Sequence, residues 1–259
     1  MKILVEILSI VAVCGTAQAS DSVGGIMAEM TELAGPSTTD ATFQLKSDDK
    51  LAFIGDSITQ AGGYLRVMAY VLKIQYPALN LTNFINAGIS SQTSGDMSPR
   101  FAASVRLDEK PACVFINAGL NDIFRAGLDK PHDPATLAAF RSNIVHMVEE
   151  AQAARVRVVL LTPTIWGEDP GNDPNKRLAL YADAMKQIAQ EKHCEVVDLH
   201  GIFLHALAAE GKSTHITVSD GIHMNALGDM LMAIGVLRAL GVPDSKIATT
   251  DVTALLNIR

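Results

Sequence analysis

The sequence predicts an α/β fold: a doubly wound parallel sheet of about five strands with helices on both faces. Three observations predict it. From about residue 50 to 240, short apolar runs alternate with longer helical stretches, and strand–helix alternation implies a parallel sheet with right-handed crossovers. Runs such as VFIN at 114–117 and VRVVLLT at 156–162 are apolar nearly throughout, which suits strands buried on both faces. Hydrophobic residues make up 48% of the 259 and charged residues 19%, a globular balance with material for a substantial core.

In chain order, the apolar run 51–55 is a strand that stops at Gly55-Asp56-Ser57, and 63–75 is the helix after it. Residues 81–86 form the second strand and 99–107 a helix; 112–117 form the third strand and 134–154 a long helix. The run 156–162 is the fourth strand, followed by a helix over 175–192. The fifth strand is 195–199, then a helix over 202–210 and a last helix over 226–240. There is no internal repeat, low-complexity tract or second domain, so 46–259 is read as one domain. Residues 20–45, rich in Ser, Thr, Gly and Ala, read as a linker or loosely packed lead-in.

The N-terminus begins MKILVEILSIVAVCGTAQAS. Lys2, the short apolar stretch 7–13 and the small residues around Ala17-Gln18-Ala19 predict a signal peptide cut after Ala19, and a secreted or periplasmic protein. The run is shorter than the ~20 residues a transmembrane helix needs, so no stable membrane insertion is expected. A lipoprotein anchor through Cys14 is disfavoured by the bulk of Val13. Net charge is −7 with no Lys/Arg cluster, which argues against nucleic acid as a partner. Cys113 and Cys194 fall on strands separated by one other, roughly 10 Å apart, beyond the ~7 Å between Cα atoms that a disulfide spans. Both are read as buried free thiols.

Ligands of open α/β sheets bind beyond the C-terminal ends of the strands. Asp56-Ser57 follows the first strand and Asn86-Ala87-Gly88-Ile89-Ser90 the second. Gly119-Leu120-Asn121-Asp122 follows the third, a long loop with Trp166 the fourth, and Ser219-Asp220-Gly221-Ile222-His223 precedes the last helix. A serine hydroxyl becomes a useful nucleophile when a base takes its proton. Histidine serves at neutral pH, and a carboxylate fixes its tautomer. Ser57, His223 and Asp220 are the candidates. The N–H groups of Ser57 and Gly88 and the Asn121 side chain could hold an oxyanion, with Gly88 leaving room for the substrate carbonyl.

The blocks GDSIT (55–59), NAGIS (86–90), GLND (119–122) and DGIH (220–223), in this order, resemble those of the SGNH hydrolases, or GDSL esterase/lipase family. Singly each motif is weak; four in order, over about residues 50–240, are specific. The resemblance implies a three-layer α/β/α flavodoxin-like fold, Ser57 as nucleophile, Gly88 and Asn121 as oxyanion donors, His223 as base and Asp220 as its acid, with no metal or cofactor. Ile58 and Leu120 depart from the commonest family residues at positions without a catalytic role. GDSITQAGGY and TPTIWGE look most like secreted bacterial members acting on small esters, often acetyl groups on carbohydrate.

Trp166, Phe124, Arg125 and His215 are candidates for substrate contact; the remaining histidines read as surface or structural. The expected partner is a small-molecule or glycan ester. A lipase, lysophospholipase or acyltransferase of the same family is the nearest alternative. A non-catalytic carbohydrate-binding protein is disfavoured by the intact Ser57, Asp220 and His223. A two-metal phosphatase, suggested by Asp198-Leu199-His200, is disfavoured because that piece comes last in the chain.

Overall fold

The computed structural model describes residues 25–37, 41–81, 84–209 and 215–256. The predicted signal peptide and Cys14 lie outside the described residues. Five parallel strands form one sheet in the order β2-β1-β3-β4-β5: β1 Leu51–Gly55, β2 Phe84–Gly88, β3 Cys113–Asn117, β4 Arg157–Leu161 and β5 Glu195–Val197. The central strands β1 and β3 are buried at every residue, the burial their apolar sequences require.

A first helix, α1 (Gly25–Leu33), lies within 20–45, the stretch read as a linker or loosely packed lead-in. Met27, Met30 and Leu33 recur at helical spacing and are buried. After β1 come α2 (Ser57–Ala61) and α3 (Gly63–Gln75); α4 (Ser94–Met97) and α5 (Phe101–Ser104) separate β2 from β3. A single helix over 99–107 does not form. A capping box between Thr93 and Asp96 starts the helical segment earlier. The chain then passes through a 3-10 turn at Ser98–Arg100, where Pro99 lacks the N–H that a continuous helix would use.

Next come α6 (Leu120–Ala126) and α7 (Pro134–Ala153), then α8 (Asp173–Lys192) after β4, and α9 (Leu199–Ala208) after β5. The fifth strand ends at Val197 instead of 199 because Asp198 turns its side chain back to accept from the Gly201 N–H and opens α9. The chain closes with α10 (Ala226–Ala239), α11 (Asp244–Ala248) and α12 (Thr253–Leu256). Helix α3 packs on α10, and α7 on α8; the two pairs cover the sheet. Helix α1 packs against α10 and α11. Cys113 and Cys194 are free thiols; Cys113 is buried, whereas Cys194 is half-buried. No helix among the described residues is long and apolar enough to cross a membrane.

Candidate active site

The site begins where β1 stops. Gly55 has no room for a Cβ, which would run into the Thr59 side chain. Asp56 then caps α2, its Oδ1 accepting from the Ile58 N–H at 3.0 Å. A strand that passes through one capping residue into a helix leaves Ser57 in the first turn, at the C-terminal edge of the sheet. Its N–H is among the first-turn donors that have no intrahelical acceptor. Asp56 is buried, and burial raises its pKa to about 6 despite the Ile58 hydrogen bond and the charge of His223.

The loop before α10 folds back on itself. Thr217 and Met224 form an antiparallel bridge, and the Val218 N–H donates to the His223 carbonyl at 2.8 Å. Gly221 takes φ +72° at the turn, a left-handed conformation that glycine adopts without strain. Asp220 Oδ1 accepts from the N–H groups of Ile222 and His223 at 2.8 and 2.9 Å. Its Oδ2 lies 2.6 Å from His223 Nδ1, and His223 Nε2 lies 2.8 Å from Ser57 Oγ. An ionised carboxylate only accepts, so Nδ1 carries the proton and Nε2 is left to accept from the serine hydroxyl. The slight burial of Asp220 raises its pKa, but the His223 and backbone hydrogen bonds outweigh it and hold the carboxyl below its usual range. The two side chains are 44% and 42% exposed, so the pair is open to water.

Asn121 stands in the first turn of α6. Its Nδ2 donates to the Gln92 carbonyl at 3.1 Å and lies 3.4 Å from Asp56 Oδ2, which holds the amide beside the nucleophile block. Its neighbour Asp122 fastens the same loop, accepting from the Ser94 N–H at 3.1 Å and the Ser94 hydroxyl at 2.6 Å. Gly88 ends β2. Strand β2 continues through Gly88, paired with Gly55, and the Gly88 N–H donates to Asn86 Oδ1 at 3.0 Å. A Cβ here would overlap the backbone of Thr59 and Gln60. Gly88 lets α2 sit against β2, and its N–H meets the Asn86 side chain at the edge of the sheet where Ser57 stands.

The substrate-contact candidates separate. Phe124 and Trp166 stack, with centroids 5.5 Å apart and planes 20° apart. Phe124 is 55% exposed, so the pair presents an aromatic surface. Arg125 is tied to the loop after β2, donating to the Ser91 carbonyl at 2.7 Å. His215 pairs through Nδ1 with Glu168 Oε2 at 2.6 Å, and its side chain is 71% exposed. The sequence reading does not single out Glu168. It closes the TPTIWGE stretch, in a long irregular loop where periodicity gives no role to a single side chain. A serine, a base oriented by a carboxylate and a side-chain amide at one sheet edge can carry out acyl transfer.

Residues 53–231 match the model of the GDSL-like lipase/acylhydrolase family. An acetylxylan esterase of Geobacillus stearothermophilus is 29% identical over 217 residues, 76% of this chain and 96% of that protein. The uncharacterized lipoprotein YqeF of Bacillus subtilis is 32% identical over 120 residues, 44% of this chain and 48% of that protein. Among solved structures, the same acetylxylan esterase superposes with a TM-score of 0.67 at 27% identity, covering 77% of this chain and 97% of its own. An α/β hydrolase from the Lake Arreo metagenome also gives a TM-score of 0.67, at 25% identity over 77% of this chain and 98% of its own. The four sequence blocks, the sheet order and the 53–231 match agree: the chain belongs to the GDSL-like lipase/acylhydrolase family and is a carboxylic ester hydrolase.

Proposed function

We propose that this chain removes short acyl groups, acetyl above all, from carbohydrate through a Ser57–His223–Asp220 triad. One observation carries the reading: the unbroken relay from Asp220 Oδ2 to His223 Nδ1 at 2.6 Å and from His223 Nε2 to Ser57 Oγ at 2.8 Å. The acetylxylan esterase likeness supports acetyl and sugar as the two halves of the ester. Structures of that esterase include catalytic mutants with alanine at a serine, an aspartate or a histidine.

His223 takes the Ser57 proton as Oγ attacks the ester carbonyl, and Asp220 steadies the imidazolium. The carbonyl oxygen becomes an oxyanion, held by the N–H groups of Ser57 and Gly88 and by Asn121 Nδ2, once Gly88 and Asn121 turn from Asn86 Oδ1 and Asp56 Oδ2. Collapse expels the sugar hydroxyl, which takes its proton from His223. Water, deprotonated by the same nitrogen, then attacks the acyl-enzyme and releases the acid. The Phe124–Trp166 stack offers a flat apolar face on which a sugar ring can lie, at the edge that carries Asn121. No metal enters any step.

A longer acyl chain is the second reading. It is favoured by three exposed large apolar side chains, Phe124 on α6 and Ile89 and Val218 on loops. The experiment that separates the two is p-nitrophenol release from acetyl, butyryl and octanoyl esters by wild type and Ser57→Ala, with and without EDTA, beside acetate release from acetylated xylan. Turnover greatest on acetyl, insensitive to EDTA and absent in Ser57→Ala is the expected result. Rates rising with chain length would establish the second reading. Near-wild-type turnover by Ser57→Ala would overturn the mechanism.

A further inference from the structure

We infer that Glu168 is a positioning residue for the triad: its carboxylate clamps the segment entering the Asp220–His223 turn and thereby sets His223 against Ser57. This rests on the triad reading above. The turn lies between the bridge residues Thr217 and Met224 and belongs to no helix or strand of the sheet. It must therefore be fastened from outside.

Two adjacent residues of the loop after β4 do the fastening. Glu168 Oε1 accepts three hydrogen bonds, from the Ile216 N–H at 2.8 Å, the Thr217 N–H at 2.8 Å and the Thr217 hydroxyl at 2.7 Å. Glu168 Oε2 meets His215 Nδ1 at 2.6 Å. One residue earlier, the Gly167 N–H donates to the Gly221 carbonyl at 2.6 Å. The turn is held at its entry by Glu168 and just past Asp220 by Gly167. Asn225 adds a third tie, its Nδ2 donating to the His215 and Thr217 carbonyls at 2.6 and 3.3 Å.

The Glu168 side chain is only 20% exposed, against 71% for His215. Burial raises its pKa, but hydrogen bonds from Thr217, His215 and Ile216 outweigh that and hold the carboxyl below its usual range. A carboxylate accepting several N–H bonds stays ionised. Such an acceptor orders the segment far better than water, which would leave the Thr217 and Ile216 donors to fluctuate. Glu168 bonds neither Ser57 nor His223, so it acts through the turn. A misplacement of about 1 Å in a reacting group costs about 10²-fold in rate.

The test uses Glu168→Ala, Glu168→Gln, Thr217→Val and His215→Ala in the full chain, assayed with p-nitrophenyl acetate at a temperature where circular dichroism shows each variant folded. Labelling of Ser57 by a small organophosphonate is followed in parallel, since it reports serine activation without the natural substrate. Glu168→Ala should lower kcat and the labelling rate together by about 10²-fold with KM within about twofold. Glu168→Gln keeps an acceptor for Thr217 and Ile216 and should recover to within about tenfold of wild type. His215→Ala should stay within about twofold, because its exposed side chain is the outer partner of the clamp. A Glu168→Ala enzyme with lowered Tm but wild-type kcat and labelling rate would overturn the inference. So would a rise in KM alone, which would make Glu168 a substrate contact. If Glu168→Ala does not fold, Glu168→Gln and Thr217→Val decide, and wild-type labelling rates in both would also overturn it. An inactive wild type, or an active Ser57→Ala, would instead refute the triad reading.

Discussion

Asp220→Asn isolates what the carboxylate contributes. Asparagine keeps an Oδ1 acceptor for the Ile222 and His223 N–H groups, which reach Asp220 at 2.8 and 2.9 Å, so the turn survives. What changes is the contact at Oδ2, 2.6 Å from His223 Nδ1. An amide nitrogen there is a donor. It favours the tautomer with Nδ1 bare and the proton on Nε2, the nitrogen that must accept from Ser57. Where the triad acid is buried, the same change costs about 10⁴-fold in kcat. Here the aspartate and histidine side chains are 44% and 42% exposed, so water partly screens the pair and can partly replace the carboxylate. The expected loss is therefore about 10²–10³-fold, or about 3–4 kcal/mol on the barrier. The assay is kcat and kcat/KM on p-nitrophenyl acetate across pH, with Tm as the folding control. Turnover within about threefold of wild type would refute the reasoning, because the relay would then be geometrically present and chemically idle.

Three further outcomes follow from named contacts. Asn121→Ala should lose about 10²–10³-fold in kcat with little change in KM, as expected for one oxyanion donor; unchanged turnover on acetyl esters would remove Asn121 from that role. Gly88→Ala should destabilise by about 1–3 kcal/mol and slow the enzyme, because the new Cβ meets the Thr59–Gln60 backbone and pushes the helix that carries Ser57; urea unfolding and kcat measured together check it. Asp229, in the first turn of α10, lays its carboxylate on the start of α3, where it accepts from the Tyr64 N–H, and burial raises its pKa to about 7 from 3.8. A raised carboxylate favours the folded state below its unfolded pKa and loses that contribution as pH climbs to the folded value. Wild type should thus lose about 2 kcal/mol between pH ~5.5 and ~8 that Asp229→Asn retains; parallel pH–stability curves in urea unfolding would contradict this.

The strands and the long helices were legible because each carries a local signal. Buried strands such as β3 are short apolar runs, and α3 and α7 hold helical patterns long enough to read. Helix α1 was not legible: Met27 and Met30 lie in a stretch of small and polar residues, and only contact with α10 and α11 explains their burial. The helix expected over 99–107 holds only at Phe101–Ser104: Arg106 takes φ +54°, and Leu107–Glu109 is a separate 3-10 turn.

Ser57, Asn121, Asp220 and His223 were visible in the sequence because each sits in a short motif at a strand edge or before a helix, and order along the chain carries that information. Gly88 is read two ways, since a glycine suits both an oxyanion donor and a close helix–strand contact, and the structure shows the second. The direction of its N–H, toward Asn86 Oδ1 at 3.0 Å, depends on how far β2 pairs with β1. By itself the sequence determined the sheet, the family and its ester-hydrolase chemistry, and it named the residues proposed for the triad, because those follow from residue type and local spacing. Only the tertiary structure decided which donors remain open, which aromatic rings stack, and that Glu168, tens of residues from both ends of the relay, grips the turn that holds His223. Those are contacts between segments distant in sequence, and no local pattern encodes a distance between them.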